Sequence, residues 1–206
     1  MGMWDKIDSA DVNERGQYFP PGFRGRVRIE RSIMKPTRKD GDAFIVTLEV
    51  LESNLAEVAV GSRRSWYQSF KDQILGSSAA KEFFCCLAGV NAGVKSEVDA
   101  HISPIAARVG MAATGAGNAL MGMIVDLETF TKTTNQGKLF TVHKWTPVAS
   151  VAAQQLAAMK AIAAGTYTPA MVTANVTTQP VPPGTAQLPA LPSGWVYQNG
   201  VPVHTG

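Results

Sequence analysis

Apolar and polar residues begin to alternate at residue 23. In FRGRVRIERSIMK (23–35), Arg24, Arg26 and Arg28 fall on one side of an extended segment, and Val27, Ile29 and Ile33 mainly on the other. This is the pattern of a half-buried strand with a basic outer face. AFIVTLEVLES (43–53) follows as a β-branched, nearly continuous apolar run, separated from the first by KPTRKDGDA with its hairpin signal Asp40-Gly41. EVAVGSRRSWYQSF (57–70) reads as a third strand, bent or bulged at Gly61. Two later runs, MIVDLETFTKT (123–133) and KLFTVHKWTPV (138–148), read as a hairpin closed by TNQG.

Between the third and fourth strands the period changes to that of a helix. Phe83, Phe84 and Leu87 share one stripe of AAKEFFCCLA, Ser78 is placed as its N-cap, and Gly89 stands where a C-terminal cap belongs. SPIAARV is read as a second helical piece, with Ser103 as cap and Pro104 in the first helical position, and GMAATGAGNALMG (110–122) as a flexible crossing. ASVAAQQLAAMKAIAAG (149–165) is an alanine-rich helix with a Leu156, Met159, Ile162 stripe.

Three β segments, a helix and two more β segments match the five-stranded Greek-key barrel of the OB fold, which binds oligonucleotides or oligosaccharides on a strand face. A β-sandwich would want about seven strands and no interposed helix. The expected architecture is therefore mainly β, an OB-like barrel with a helix between strands 3 and 4, followed by the alanine-rich helix and a flexible tail. The divisions are an N-terminal arm (1–22) ending in Tyr18-Phe19-Pro20-Pro21-Gly22, a nucleic-acid-binding domain (23–148), the helix (149–165), and a tether rich in Pro and Thr with a terminal hairpin (166–206) around Asn199-Gly200.

Composition narrows the classes. The chain of 206 residues is 45% apolar and 17% charged, enough to bury a core. There is no apolar run of about eighteen residues, and the start MGMWDKIDSADVNER is acidic where a signal peptide would be basic and then apolar; a cytoplasmic location without membrane or lipid anchor is expected. Cys85 and Cys86 are adjacent in a helix and read as core thiols. The net charge is only +3, but no Asp or Glu follows Glu128, whereas Lys132, Lys138, Lys144 and Lys160 do.

Enzyme signatures are missing from the pattern. His101, His143 and His204 are far apart, and there is no HExxH, CxxC, nucleophile elbow or phosphate-binding GxxxxGK[ST]. Asp126 and Glu128, two apart on one strand face, could hold a metal but read more simply as a wet strand side. No catalytic residue, cofactor or metal is assigned. What remains is a combination of cations and rings: Arg24, Arg26 and Arg28 on the first strand, Arg63, Arg64, Trp66 and Tyr67 on the third, and Lys132, Lys138, Lys144 and Trp145 on the last hairpin. Single-strand binders need cations for the phosphates and flat rings for the bases. Alternation puts Tyr67 on the more polar, open side of its strand and Arg64, Trp66 and Phe70 on the other; Trp66 suits core and ligand equally, and Phe140 is assigned to the core.

The succession FxGxVxI, DGDAFIVTLEVLES, VGSRRSWYQSF, AAKEFFCCLAGV and TKTTNQGKLFTVHKWTPV resembles phage-encoded OB-fold single-stranded DNA-binding proteins over about residues 22–148. The resemblance implies sequence-independent binding of single-stranded DNA in replication or recombination, without catalysis, through Arg63, Arg64, Trp66, Tyr67, Lys132, Lys138, Lys144 and Trp145. Replication or recombination proteins would dock on the tail, although the acidic tail usual in such proteins is replaced by an uncharged one. The alternative is a virion or tail assembly protein that reaches a neighbour through its C-terminal arm. An alanine-rich helix and a barrel edge suit a homo-oligomer in either case.

Overall fold

A computed structural model describes residues 17–37, 41–134, 136–167, 195–198 and 201–204. Five strands form one antiparallel sheet: β1 (Arg24–Thr37), β2 (Gly41–Val50), β3 (Arg63–Ser69), β4 (Ile124–Thr133) and β5 (Leu139–Thr146), in the order β3-β2-β1-β4-β5. Helices α1 (Gln73–Leu87), α2 (Lys95–His101) and α3 (Ala106–Thr114) lie between β3 and β4, and α4 (Ala149–Ala164) follows β5. The chain divides into two units, Met1–Ala174 and Asn175–Gly206. In the second, β6 (Trp195–Gln198) and β7 (Val201–His204) pair as the expected antiparallel hairpin, whose Asn199-Gly200 turn lies outside the described residues.

The alternation read from sequence sorts the sheet into two faces. Val27 and Ile29 of β1, Phe44, Val46, Leu48 and Val50 of β2, Trp66 of β3 and Val125 and Leu127 of β4 are all buried. The first strand changes register at Glu30, between Ile29 and Arg31, where an extra residue bends and twists it. Beyond that bulge β1 pairs only with β2, and before it with both β2 and β4, so the sheet coils about the bend. The ladder stays open: β3 and β5 are its two ends, and the closed barrel expected from the strand order is not formed by hydrogen bonds.

The ends are nevertheless brought together by side chains. Phe83 of α1 lies 4.9 Å from Trp66 and 4.8 Å from Trp145, ring centre to ring centre, and fills the mouth of the coiled sheet. Helix α1 starts earlier than its sequence suggests. Asp72, not Ser78, is the cap, its carboxylate accepting from the N–H groups of Ile74 and Leu75 at 3.0 Å each. Gly76, Ser77 and Ser78 are then inside the helix, and Gly76 is needed there because a Cβ would lie 2.7 Å from the Ser69 carbonyl oxygen. At the other end Gly89 has φ +68 and donates its N–H to Cys86, as expected of a helix-ending glycine. Cys85 and Cys86 are both buried and free; burial pushes the Cys86 thiol up to about 12.

Three other readings are corrected. Ser103 and Pro104 lie in the turn between α2 and α3 and start no helix, and the supposed flexible crossing begins as the helix α3, whose Val109 and Ala113 are buried. The described end of the arm, from Gln17 on, is not separate from the core, since Phe19 and Phe23 are 2% and 0% exposed with rings 4.7 Å apart; residues 1–16 lie outside the described residues. Helix α4 docks through Met159 and Ile162 as expected, but also through Gln155, which is 3% exposed.

Candidate nucleic-acid interface

The arginines of β1 point to the outer face of the sheet, where the register sets carboxylates opposite them. Arg24 faces Glu128 at 2.7 Å; Arg26 reaches Asp126 at 2.8 Å and Glu52 at 3.1 Å; Arg28 meets Glu49 at 2.5 Å. Arg63 of β3 pairs with Glu30 at 2.7 Å. With Lys144, 4.0 Å from Glu128, five cations thus meet five carboxylates, and the patch carries no net charge. Exposed pairs of this kind contribute little to stability, about 0–1 kcal/mol each, but they neutralise the arginines as phosphate ligands. The hydrogen bond that Arg26 donates to Asp126 also holds its guanidinium above its ordinary pKa, fixing it as a cation within the pair. Asp126 and Glu128 are thereby engaged by arginines, and no group of three or more metal-ligating side chains occurs among the described residues.

The third-strand residues divide between the two faces. Trp66 is 4% exposed and in the core, so its ring is closed to a ligand. Arg64 is buried as well and turns inward, donating to the Glu57 carbonyl at 3.2 Å. Tyr67 is half-buried on the outer face, opposite Ile45 of β2. Trp145 is partly buried against Phe83. Of the rings proposed from sequence, none stands open.

The last hairpin differs. Pairing of β1 with β4 ends at Arg24 and Glu128, while β4 and β5 continue to pair as far as Thr133 and Leu139. The β4–β5 hairpin therefore runs on past β1 as a two-stranded ribbon. It is closed by Thr134–Gly137, with Gly137 at φ +76 and its N–H donating to the Thr134 carbonyl. Cross-strand partners are Phe130 with Val142 and Lys132 with Phe140. By alternation Phe130, Lys132, Lys138, Phe140, Val142 and Lys144 share one ribbon face.

On that face Lys132 Nζ stands 5.6 Å from the centre of the Phe130 ring, and Phe140 is 46% exposed rather than in the core. Lys138 and Lys132 are exposed, and neither has a carboxylate partner among the described residues. Phe140 stands away from the core because it pairs with Lys132 on the face that carries Glu128 and Lys144, opposite the face of Leu127 and Trp145. This face joins Lys132 and Lys138 to the exposed ring of Phe140 and the half-buried ring of Phe130.

No protein-family model matches the chain, and no curated protein has a significantly similar sequence. Among the described residues no helix is long and apolar enough to cross a membrane.

Proposed function

We propose that the protein binds single-stranded DNA without sequence specificity, as a phage-type replication or recombination accessory, using the ribbon face of β4–β5. The observation that carries this reading is the pair Lys132 and Lys138, without carboxylate partners among the described residues, beside the exposed Phe140 and the half-buried Phe130 on one face of a projecting ribbon. Ammonium groups follow phosphates while open rings stack bases, each stacked base contributing about 1–3 kcal/mol. The same surface suits duplex poorly, because paired bases do not present their faces. The strand order and the position of α1 at the mouth of a coiled sheet support an OB-type architecture in which β3 and β5 approach without pairing.

The test is a titration of fluorescently labelled oligo-dT followed by anisotropy, with a duplex of equal length as competitor. Tryptophan quenching is a poor reporter here, since Trp66 is buried and Trp145 is packed against Phe83. Binding that weakens linearly on a log–log salt plot and survives duplex competition supports the reading. Equal affinity for duplex, or none at low salt, removes it.

A further inference from the structure

The sheet has two open edges, and they are treated differently. The β3 edge is partly occupied, with Ser65 donating its N–H to the Gln17 carbonyl at 2.9 Å and bridging to Tyr18. On β5, the end near Trp145 is engaged through that ring with Trp66 and Phe83. The remaining stretch, Lys138–Val142, pairs among the described residues only with β4 and its turn, and carries Leu139 at 71% and Phe140 at 46% exposure. An extended edge bearing large apolar residues is a template for another strand.

We propose that two copies of the chain pair antiparallel along this stretch, about a two-fold axis at Phe140. The proposal rests on the reading of the ribbon as a nucleic-acid surface and extends it. Phe140 then lies opposite Phe140 of the second copy, Leu139 opposite Thr141, and Lys138 opposite Val142. A two-fold axis perpendicular to a shared sheet puts the same ribbon face of both copies on one side, so Lys132, Lys138 and Phe140 of each contribute to a single doubled surface. The edges cover each other, which leaves this stretch closed to further strands.

Charge selects the register. With the axis at Phe140 the two Lys138 residues are about 14 Å apart, from about 3.4 Å per residue and 4.8 Å between strands, which exceeds the Debye length of about 10 Å at 0.1 M salt. Moving the axis to Thr141 sets Lys138 directly against Lys144 of the second copy, about 5 Å away. Moving it to Leu139 brings the two Lys138 residues within about 8 Å. Moving it to Val142 extends the contact to Trp145, where the packing of its ring on Trp66 brings β3 beside that end of β5 and crowds a second copy. A second copy therefore fits this edge in one register, through a short contact that gives weak, concentration-dependent association.

The experiment uses the full chain without nucleic acid. Sedimentation equilibrium should show mass rising from that of the monomer toward twice that value with concentration, and Phe140→Glu should weaken the association by about tenfold or more. Phe140→Cys should oxidise to a disulfide-linked dimer, because the native Cys85 and Cys86 are buried and the new thiols face each other across the axis. Gln136→Cys should not, because in this register its two copies lie about 27 Å apart. A monomeric mass at every concentration, or cross-linking of Gln136→Cys as fast as that of Phe140→Cys, overturns the proposal. Oligo-dT binding by a chain that stays monomeric overturns the pairing while leaving the nucleic-acid reading intact; a dimer that ignores oligo-dT overturns the shared surface.

Discussion

The indoles of Trp66 and Trp145 meet edge to face, with ring centres 5.1 Å apart and planes at 75°, although their strands stand at opposite ends of the five-stranded sheet. A flat sheet would hold those strands about 19 Å apart, four spacings of about 4.8 Å. The contact therefore measures how far the sheet has coiled, and Phe83 of α1 is the side chain that both rings pack against.

Truncating that centre should cost stability in proportion to burial. Phe83→Ala and Trp66→Ala each remove an almost fully buried ring and should lower the unfolding free energy by about 3–5 kcal/mol. Trp145→Ala, which removes a partly exposed ring, should cost less. Chemical denaturation checks the order, and an equal effect of all three would mean that the rings do not act as one buried cluster.

Gln155 fastens α4 through hydrogen bonds rather than apolar contact. Its Oε1 accepts from the Ile124 N–H at 2.7 Å, and its Nε2 donates to the carbonyls of Leu87 at 2.7 Å and Ile124 at 3.1 Å. One amide thus serves the start of β4 and the end of α1 at once. Gln155→Ala leaves these buried groups without this partner and should cost several kcal/mol, about 1–3 kcal/mol for each group left unsatisfied. Lys160→Ala, by contrast, should change the denaturation midpoint little, since Lys160 is exposed on the same helix.

What could be read in advance follows from the range over which each signal acts. The five strands, the TNQG turn and the glycine end of α1 depend on neighbours in sequence, and they stand close to where the pattern put them, except that the third strand starts only at Arg63, after a turn at Gly61, and not at Glu57. The start of α1 was hidden because Gly76-Ser77-Ser78 looks like a break until Ser69 is seen against it. Gln155 has no local signal for its role, because its three partners come from distant segments. The arginine row misled for the same reason: alternation reports which side Arg24, Arg26 and Arg28 take, but only the register reveals Glu128, Asp126 and Glu49 beside them.

That distinction makes the arginines and the ribbon lysines separable by salt. Lys138→Ala and Lys132→Ala should each weaken oligo-dT binding and reduce the log–log salt slope by about 0.7, the value for one phosphate contact on a single strand. Arg28→Ala removes a cation already neutralised by Glu49 and should leave the slope unchanged. Anisotropy titrations at four or five salt concentrations decide it; an Arg28→Ala slope that falls as far as that of Lys138→Ala moves the interface onto the outer sheet face.

Phe140 tests stacking apart from charge. Phe140→Ala should weaken oligo-dT binding by about 1–3 kcal/mol, roughly 5- to 150-fold, while Phe140→Trp retains or strengthens it. Measured at concentrations where the chain is monomeric, the unfolding midpoint should move little, because the ring is 46% exposed. A large loss of stability with unchanged affinity would assign the ring to packing instead.

The last test is one of pH and concerns His143, whose ring lies at 19° to Trp145 with centres 6.2 Å apart and whose Nε2 is buried without a hydrogen-bond partner among the described residues. Burial lowers its pKa from the ordinary value of 6.5, so the folded protein favours the neutral ring. Below that value the unfolded chain binds a proton that the folded one does not. The stabilisation is therefore complete above about pH 6.5 and is lost as the pH falls toward the folded-state pKa. Between about pH 6.5 and 5 the carboxylates, with ordinary values near 4, are still mostly ionised, so this window isolates the histidine. The thermal midpoint of the native chain should fall across it, and that of His143→Phe should fall less, since phenyl keeps the ring contact and has nothing to protonate. Parallel pH profiles for the two proteins would show that His143 meets solvent when protonated, and that the ribbon root beside Trp145 opens without unfolding.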